Sequence, residues 1–150
     1  MFCIRFTREK FFPSEPGEKG RMGLLRLGNV EERFVSHFWE WAPQKYMEHW
    51  RDALKRVLDG NPSALITDMR TPAQSSHLVW YPMWRFGDEV IFHNQLLFFK
   101  QYGLRGSRLN TQSLLSLVGK RKTHEDGVPL SEWIVPVSDI KLFLKRRSQT

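Results

Sequence analysis

Five histidines, six tryptophans and a run of cations between Lys100 and Lys122 are the residues of this chain that could do chemistry. Histidine changes charge near neutrality, so two of them can pass a proton in and out of a reaction, as a two-histidine ribonuclease does. His37, His49, His77, His93 and His124 stand at no spacing that selects such a pair. His49 falls beside the polar face of the strongest helix pattern and reads as a partly exposed surface residue. His93 alternates with Ile91 along a strand and reads as a core or rim histidine. His37, His77 and His124 fall at a segment boundary, a strand start and a turn. A serine nucleophile would sit in a G-x-S-x-G elbow and a zinc hydrolase would carry H-E-x-x-H, and neither occurs. Gly103-Leu104-Arg105-Gly106 is a fragment of a phosphate loop without its strand and helix. The lone Cys3 can close no internal disulfide and builds no zinc set. Neither catalysis nor a cofactor or metal is expected.

The cations carry more information. Twenty-three Lys and Arg oppose sixteen Asp and Glu, a net charge of +7. Residues 1–99 hold thirteen basic and twelve acidic side chains, whereas residues 100–150 hold ten and four. Lys100, Arg105, Arg108, Lys120, Arg121 and Lys122 follow one another with no acid between them, and His124 comes next. Such a segment attracts an acidic protein surface, nucleic acid or anionic lipid through its summed field, or it is ordinary solvated surface. Tryptophans beside cations can form a stacking platform for single-stranded nucleic acid. Trp80 and Trp84 lie four apart on a strand and face one way, and Trp50 lies in a helical stripe, so core is the default for all three.

The elements that must position these residues follow from periodicity. Phe2, Ile4 and Phe6 alternate with polar neighbours and predict a strand. Residues 13–20 are turn formers and charges, a loop. Met22, Leu24 and Leu27 predict a second strand, closed by Gly28-Asn29. Between Pro43 and Asp59, Tyr46, Met47, Trp50, Ala53, Leu54, Val57 and Leu58 recur at three- and four-residue steps, one apolar helix face. Pro43 suits the first turn and Gly60-Asn61-Pro62 ends the helix. Ala64–Thr67 predicts a buried strand. His77–Phe86 predicts another, in which Pro82 implies a bulge or an edge position. Leu78–His93 forms a hairpin about Gly87-Asp88. Gly103 and Gly106 break the basic segment into loop. Leu114–Val118 and Ser131–Val135 predict strands joined through Glu125-Asp126-Gly127, and Ser138 caps a last helix with Ile140, Phe143 and Leu144 inward. The sum is an α+β fold: an antiparallel sheet of about six or seven short strands with one long and one short helix.

One hundred and fifty residues suit a single domain, 1–150, and suffice to bury a core without staples. The longest apolar run, Leu96–Phe99, is far short of a membrane span, and the first residues lack the charge and apolar stretch of a signal peptide. A cytoplasmic protein with no membrane partner is expected.

Several stretches, in order, resemble one family, the immunity proteins of bacterial contact-dependent growth inhibition (CDI) systems. Gly23-Leu24-Leu25-Arg26-Leu27-Gly28 with Glu32 and Phe34 is similar to its early strand and turn. Trp41, Tyr46 and Trp50 match its helix signature W-x(4)-Y-x(3)-W, and Thr67–Pro72 its following strand end. Trp84-Arg85-Phe86-Gly87-Asp88-Glu89-Val90 with Asn94-Gln95-Leu96-Leu97 resembles its central hairpin. Glu125–Trp133, Ser138-Asp139-Ile140 and Phe143-Leu144 resemble its tail. The resemblance covers roughly residues 20–146. It implies a bacterial cytosolic binding module, a monomer or weak oligomer, whose partner is the C-terminal toxin domain of its own CDI system, a nuclease in many such systems. Lys100, Arg105, Arg108, Lys120, Arg121, Lys122 and His124 are the candidate partner-binding residues. A basic inhibitor of a nuclease implies either a toxin acidic on the bound face or docking away from the substrate groove. A nucleic-acid-binding protein that uses Lys100–Lys122 and the tryptophans is the second reading, and a small ribonuclease the third.

Overall fold

The alternation of Phe2, Ile4 and Phe6 does become a strand, β1 (Phe2–Phe6), paired antiparallel with β2 (Gly20–Leu27). The computed structural model describes residues 1–147. Gly28-Asn29 turns β2 into β3 (Val30–His37), completing a three-stranded sheet. The inward row of that sheet is Phe2, Ile4, Leu25, Leu27 and Phe34, all buried. Gly23 belongs to the row because the Phe34 ring lies across it: a Cβ there would stand 2.2 Å from the ring.

Helix α1 (Pro43–Leu58) forms as its apolar stripe predicts, with Pro43 in the first turn. It buries Tyr46, Trp50, Ala53, Leu54 and Val57, and with them His49. Trp50 bridges the layers. Its ring meets Phe6 at 5.0 Å and Phe34 at 5.7 Å in the first sheet, and its Nε1 donates to Ile66 O at 2.8 Å in the second.

The second sheet has five strands: β4 (Ser63–Asp68), β5 (His77–Phe86), β6 (Glu89–Phe92), β7 (Gln95–Phe98) and β10 (Trp133–Pro136). Their order is β10-β6-β5-β4, with β7 also on β5. Pro82 sits neither at an edge nor in a bulge, contrary to its sequence reading. It lies where β6, paired with Met83–Phe86, gives way to β7, paired with His77–Trp80, and its carbonyl accepts the His93 N–H. The missing proline donor therefore falls at the seam between two strands, where it breaks no ladder bond.

Three further expectations change. Leu114–Val118 is not a strand: Asn110 Oδ1 accepts the Ser113 N–H and caps a short helix, α2 (Thr111–Leu115), that buries Leu114 and Leu115. The turn at Glu125-Asp126-Gly127 forms, with positive φ at Asp126 and Gly127, but it closes a small hairpin, β8 (His124–Glu125) with β9 (Val128–Pro129), rather than joining 114–118 to 131–135. Ser138 does not cap the last helix, because α3 (Val137–Arg147) already includes it and starts with Val137 N–H on Asp88 O. A short 3-10 turn, Phe99–Tyr102, follows β7. The fold is α+β with more than one antiparallel sheet, where a single sheet was expected.

Candidate partner-binding site

The basic segment does not gather into one patch. Lys100 lies in the turn directly after β7, whose Phe98 pairs with His77 at the start of β5. Arg105 and Arg108 follow in a loop held beside the same end, where Ala73 N–H donates to Gly106 O. All three side chains are exposed and form no ion pair among the described residues. The chain then crosses one face of β5 through α2, and Trp84 Nε1 donates to Gly119 O at 2.8 Å. Lys120 and Arg121 therefore emerge at the Phe86 end, and Lys122 and His124 follow them in sequence. Strand β5 has ten residues, so its two ends are about 30 Å apart at ~3.3 Å per residue.

At the Phe86 end the cations are built in. Arg121 makes a bidentate pair with Glu132, Nε to Oε2 and Nη2 to Oε1, each 2.5 Å. Its guanidinium stands 5.5 Å from the Phe86 ring. Glu132 Oε2 also lies 2.8 Å from His93 Nε2, while His93 Nδ1 is 3.3 Å from the Gln95 amide and its ring meets Trp84. Arg121, with His93 beside it, holds the Glu132 carboxyl at about 2, against an ordinary 4.5. Arg85 is fixed differently: Nη1 donates to Leu58 O at 2.6 Å, at the end of α1, and Nε to Gly87 O at 2.9 Å. Arg85, Lys120, Arg121, Trp84 and Phe86 line an open cavity of about 460 Å³. Lys122 and His124 are exposed beside the β8–β9 hairpin. Arg85 and Phe86, which line this cavity, are not among the candidate partner-binding residues of the sequence. The signal for Phe86 was available: Trp80, Pro82, Trp84 and Phe86 share one face of β5, and Phe86 is the one beside the turn.

His37 and His49 are occupied elsewhere. His37 Nδ1 is 3.0 Å from both Asp68 oxygens and its Nε2 is 2.7 Å from Glu18. Trp39 stacks on it, and Arg70 pairs with Asp68. Glu18 is held below its usual value, first by the Ser14 hydroxyl and also by His37. His49, read from sequence as a surface residue, is 7% exposed. The reason is the edge of β4: Ile66 N–H has no strand partner on that side and donates to His49 Nε2 at 2.8 Å, while Ile66 O takes Trp50. Burial pushes the imidazole down to about 3, so it stays a neutral acceptor. Burial also drives the Tyr46 and Tyr81 hydroxyls above their usual range; Tyr46 donates to His37 O and accepts the Met69 N–H. Trp80 and Trp84 are 3% and 7% exposed, leaving neither ring free to stack on a base. Among the described residues no three His, Cys, Asp or Glu side chains form a group able to hold a metal ion. No helix there is long and apolar enough to cross a membrane.

A mixed sheet-and-helix scaffold with a clamped core and a rim of cations and apolar side chains defines a small α+β protein with a surface site. Residues 36–143 match the model of the CdiI N-terminal domain, and the chain belongs to that family, the CDI immunity proteins. The signature residues Trp41, Tyr46 and Trp50 are all core, with Tyr46 in ring contact with both tryptophans. The fold is similar to a chain of the solved CdiA-CT/CdiI toxin and immunity complex from Enterobacter cloacae. The TM-score is 0.83 at 20% sequence identity, with 100% of both chains covered. No curated protein matches the chain in sequence.

Proposed function

We propose that this chain is the immunity protein of a CDI system, binding the C-terminal domain of its own toxin in the cytosol and thereby neutralising it. The toxin is a nuclease on this reading, and the chain performs no reaction itself. The family match over residues 36–143 carries the proposal. The fold likeness along the whole chain supports it. The cations at the two ends of β5, Lys100, Arg105 and Arg108 at one and Lys120 and Arg121 at the other, with Lys122 and His124 following in sequence, are the proposed means of meeting an acidic toxin face. Charge of this kind steers encounter and selects partners more than it tightens the final complex.

Co-expression with the C-terminal domain of the neighbouring toxin gene is the test. The two should co-purify, cells should keep growing when the toxin domain is induced, and their transfer RNA should stay intact. Growth arrest despite stable expression of this chain would refute the reading. The purified chain alone should leave RNA and DNA uncut.

A further inference from the structure

The face of β5 that carries Trp80 and Trp84 is covered unequally. The 99–119 segment lies over it as far as Trp84, where the Trp84 bond to Gly119 O marks the end of the cover. Beyond that point the sheet is open. Trp84, Ile91 and Ile134 stand in one cross-strand row on this face, with Phe86 and Glu89 in the next. Ile134 is 53% exposed and Phe86 51%. The cavity adjoining Phe86 is lined by three cations, Arg85, Lys120 and Arg121, and by no acid.

These cations differ in one respect. Arg121 is neutralised by Glu132. Arg85 is partly buried and held in place by two backbone carbonyls, with no carboxylate in ion-pair range among the described residues. Lys120 makes no ion pair or hydrogen bond among them either. A guanidinium positioned by carbonyls and lacking a counter-ion is prepared for an anion, and the planar fork suits a carboxylate held by two bonds.

We propose that the toxin domain docks on this Phe86 end, placing a carboxylate side chain in the cavity against Arg85 and Lys120 and an apolar patch on Phe86 and Ile134. The proposal rests on the immunity reading above and narrows it: the Lys120 half of the basic segment docks, and the Lys100–Arg108 half only steers. The occupant is protein rather than nucleic acid, for three reasons on this face. The aliphatic Ile134 offers no ring to stack a base. The Phe86 ring already faces the Arg121 guanidinium. Trp80 and Trp84 are buried. An apolar centre with a charged rim is instead the usual composition of a protein interface.

The experiment compares variants at the two ends for binding to the immobilised toxin C-terminal domain at low and physiological salt, each variant first checked by thermal melting. Lys120→Glu, Phe86→Ala and Ile134→Asp should each weaken binding by about tenfold or more, mostly through faster dissociation. Lys120→Arg should bind as the parent does. Arg105→Glu with Arg108→Glu should slow association by a few-fold at low salt and leave dissociation unchanged. Unchanged dissociation in all three Phe86-end variants would overturn the proposal, as would a loss confined to the Arg105 and Arg108 variant. It would also be overturned if the parent bound a single-stranded RNA as tightly as the toxin and lost that binding with Lys120→Glu. If the parent failed to capture the toxin domain at all, the immunity reading itself would fall, a result separate from any difference between variants.

Discussion

The two ends of β5 carry cations from one stretch of sequence and hold them in opposite ways. Around His77, Lys100, Arg105 and Arg108 project from a turn and a loop into solvent, with no ion pair among the described residues. Around Phe86, Arg121 is locked by Glu132 and Arg85 by the end of α1 and its own turn. Solvated charge on an exposed loop acts at a distance and is screened over about 8 Å at physiological ionic strength. Fixed charge beside apolar surface acts at contact, where it has lost little further freedom on binding. The difference teaches that a run of like charges in sequence is not one electrostatic object once the chain has crossed a strand between them.

The most damaging change should erase the distinction altogether. Trp50→Ala removes the ring shared by both sheets and should cost about 3–5 kcal/mol, the range for a buried aromatic. Hydrogen exchange should then rise at both ends of β5 together. Opening at one end alone would show that the ends are separately stabilised.

Next in size, Glu132→Gln should loosen only the Phe86 end, costing about 1–3 kcal/mol for a lost charge-assisted pair. Chemical shifts should move at Arg121, His93 and Phe86 and stay fixed around Gly106. Because the Glu132 carboxyl lies at about 2 rather than 4.5, its contribution is present above about pH 4.5 and is lost as pH falls toward 2. Glu132→Gln should remove that part of the acid transition, and an acid melt identical to the parent's would refute the pairing.

The third effect lies away from both ends. His49 has an ordinary value of 6.5 when unfolded and about 3 when folded. Between these values the unfolded chain holds one proton more, so stability falls as the medium is acidified, by about 1.4 kcal/mol per pH unit. Above 6.5 the term is absent. His49→Gln should flatten the slope of urea midpoint against pH between about 6.5 and 4, and an unchanged slope would mean another group carries it.

Smallest of all, Arg105→Glu with Arg108→Glu should change stability by no more than about 0.5 kcal/mol, as exposed substitutions do. A larger loss in a denaturant melt would show that the His77 end is not free surface.

Much of this architecture was readable from residue types. The α1 stripe was long enough for its period to decide it, and the turn glycines marked the β2 and β5 ends. β3 escaped because Glu31, Glu32 and Arg33 fill its first half and hide the alternation. α2 was taken for a strand because four apolar residues at 114, 115, 117 and 118 suit either element, and only the Asn110 cap separates them. His49 was misplaced because its burial depends on the unpaired edge of β4, a tertiary fact. The basic segment was found, but its division between two ends was not, since that depends on how α2 carries the chain across β5. Arg85 entered only as part of the hairpin resemblance and not as a binding residue; its lack of a counter-ion exists only in three dimensions.

The seam at Pro82 has a practical use. Strands β6 and β7 share one flank of β5 but meet opposite a residue that offers no donor, so a single backbone bond, His93 N–H to Pro82 O, ties the connection between them to β5. Asn94, exposed in that connection, is therefore a splice point. A short flexible peptide inserted there can loop outward while β6 keeps its turn and β7 keeps its register. That makes position 94 the place for a fluorescent label or a reporter tag, one residue from the His93 ring that Glu132 and Gln95 hold.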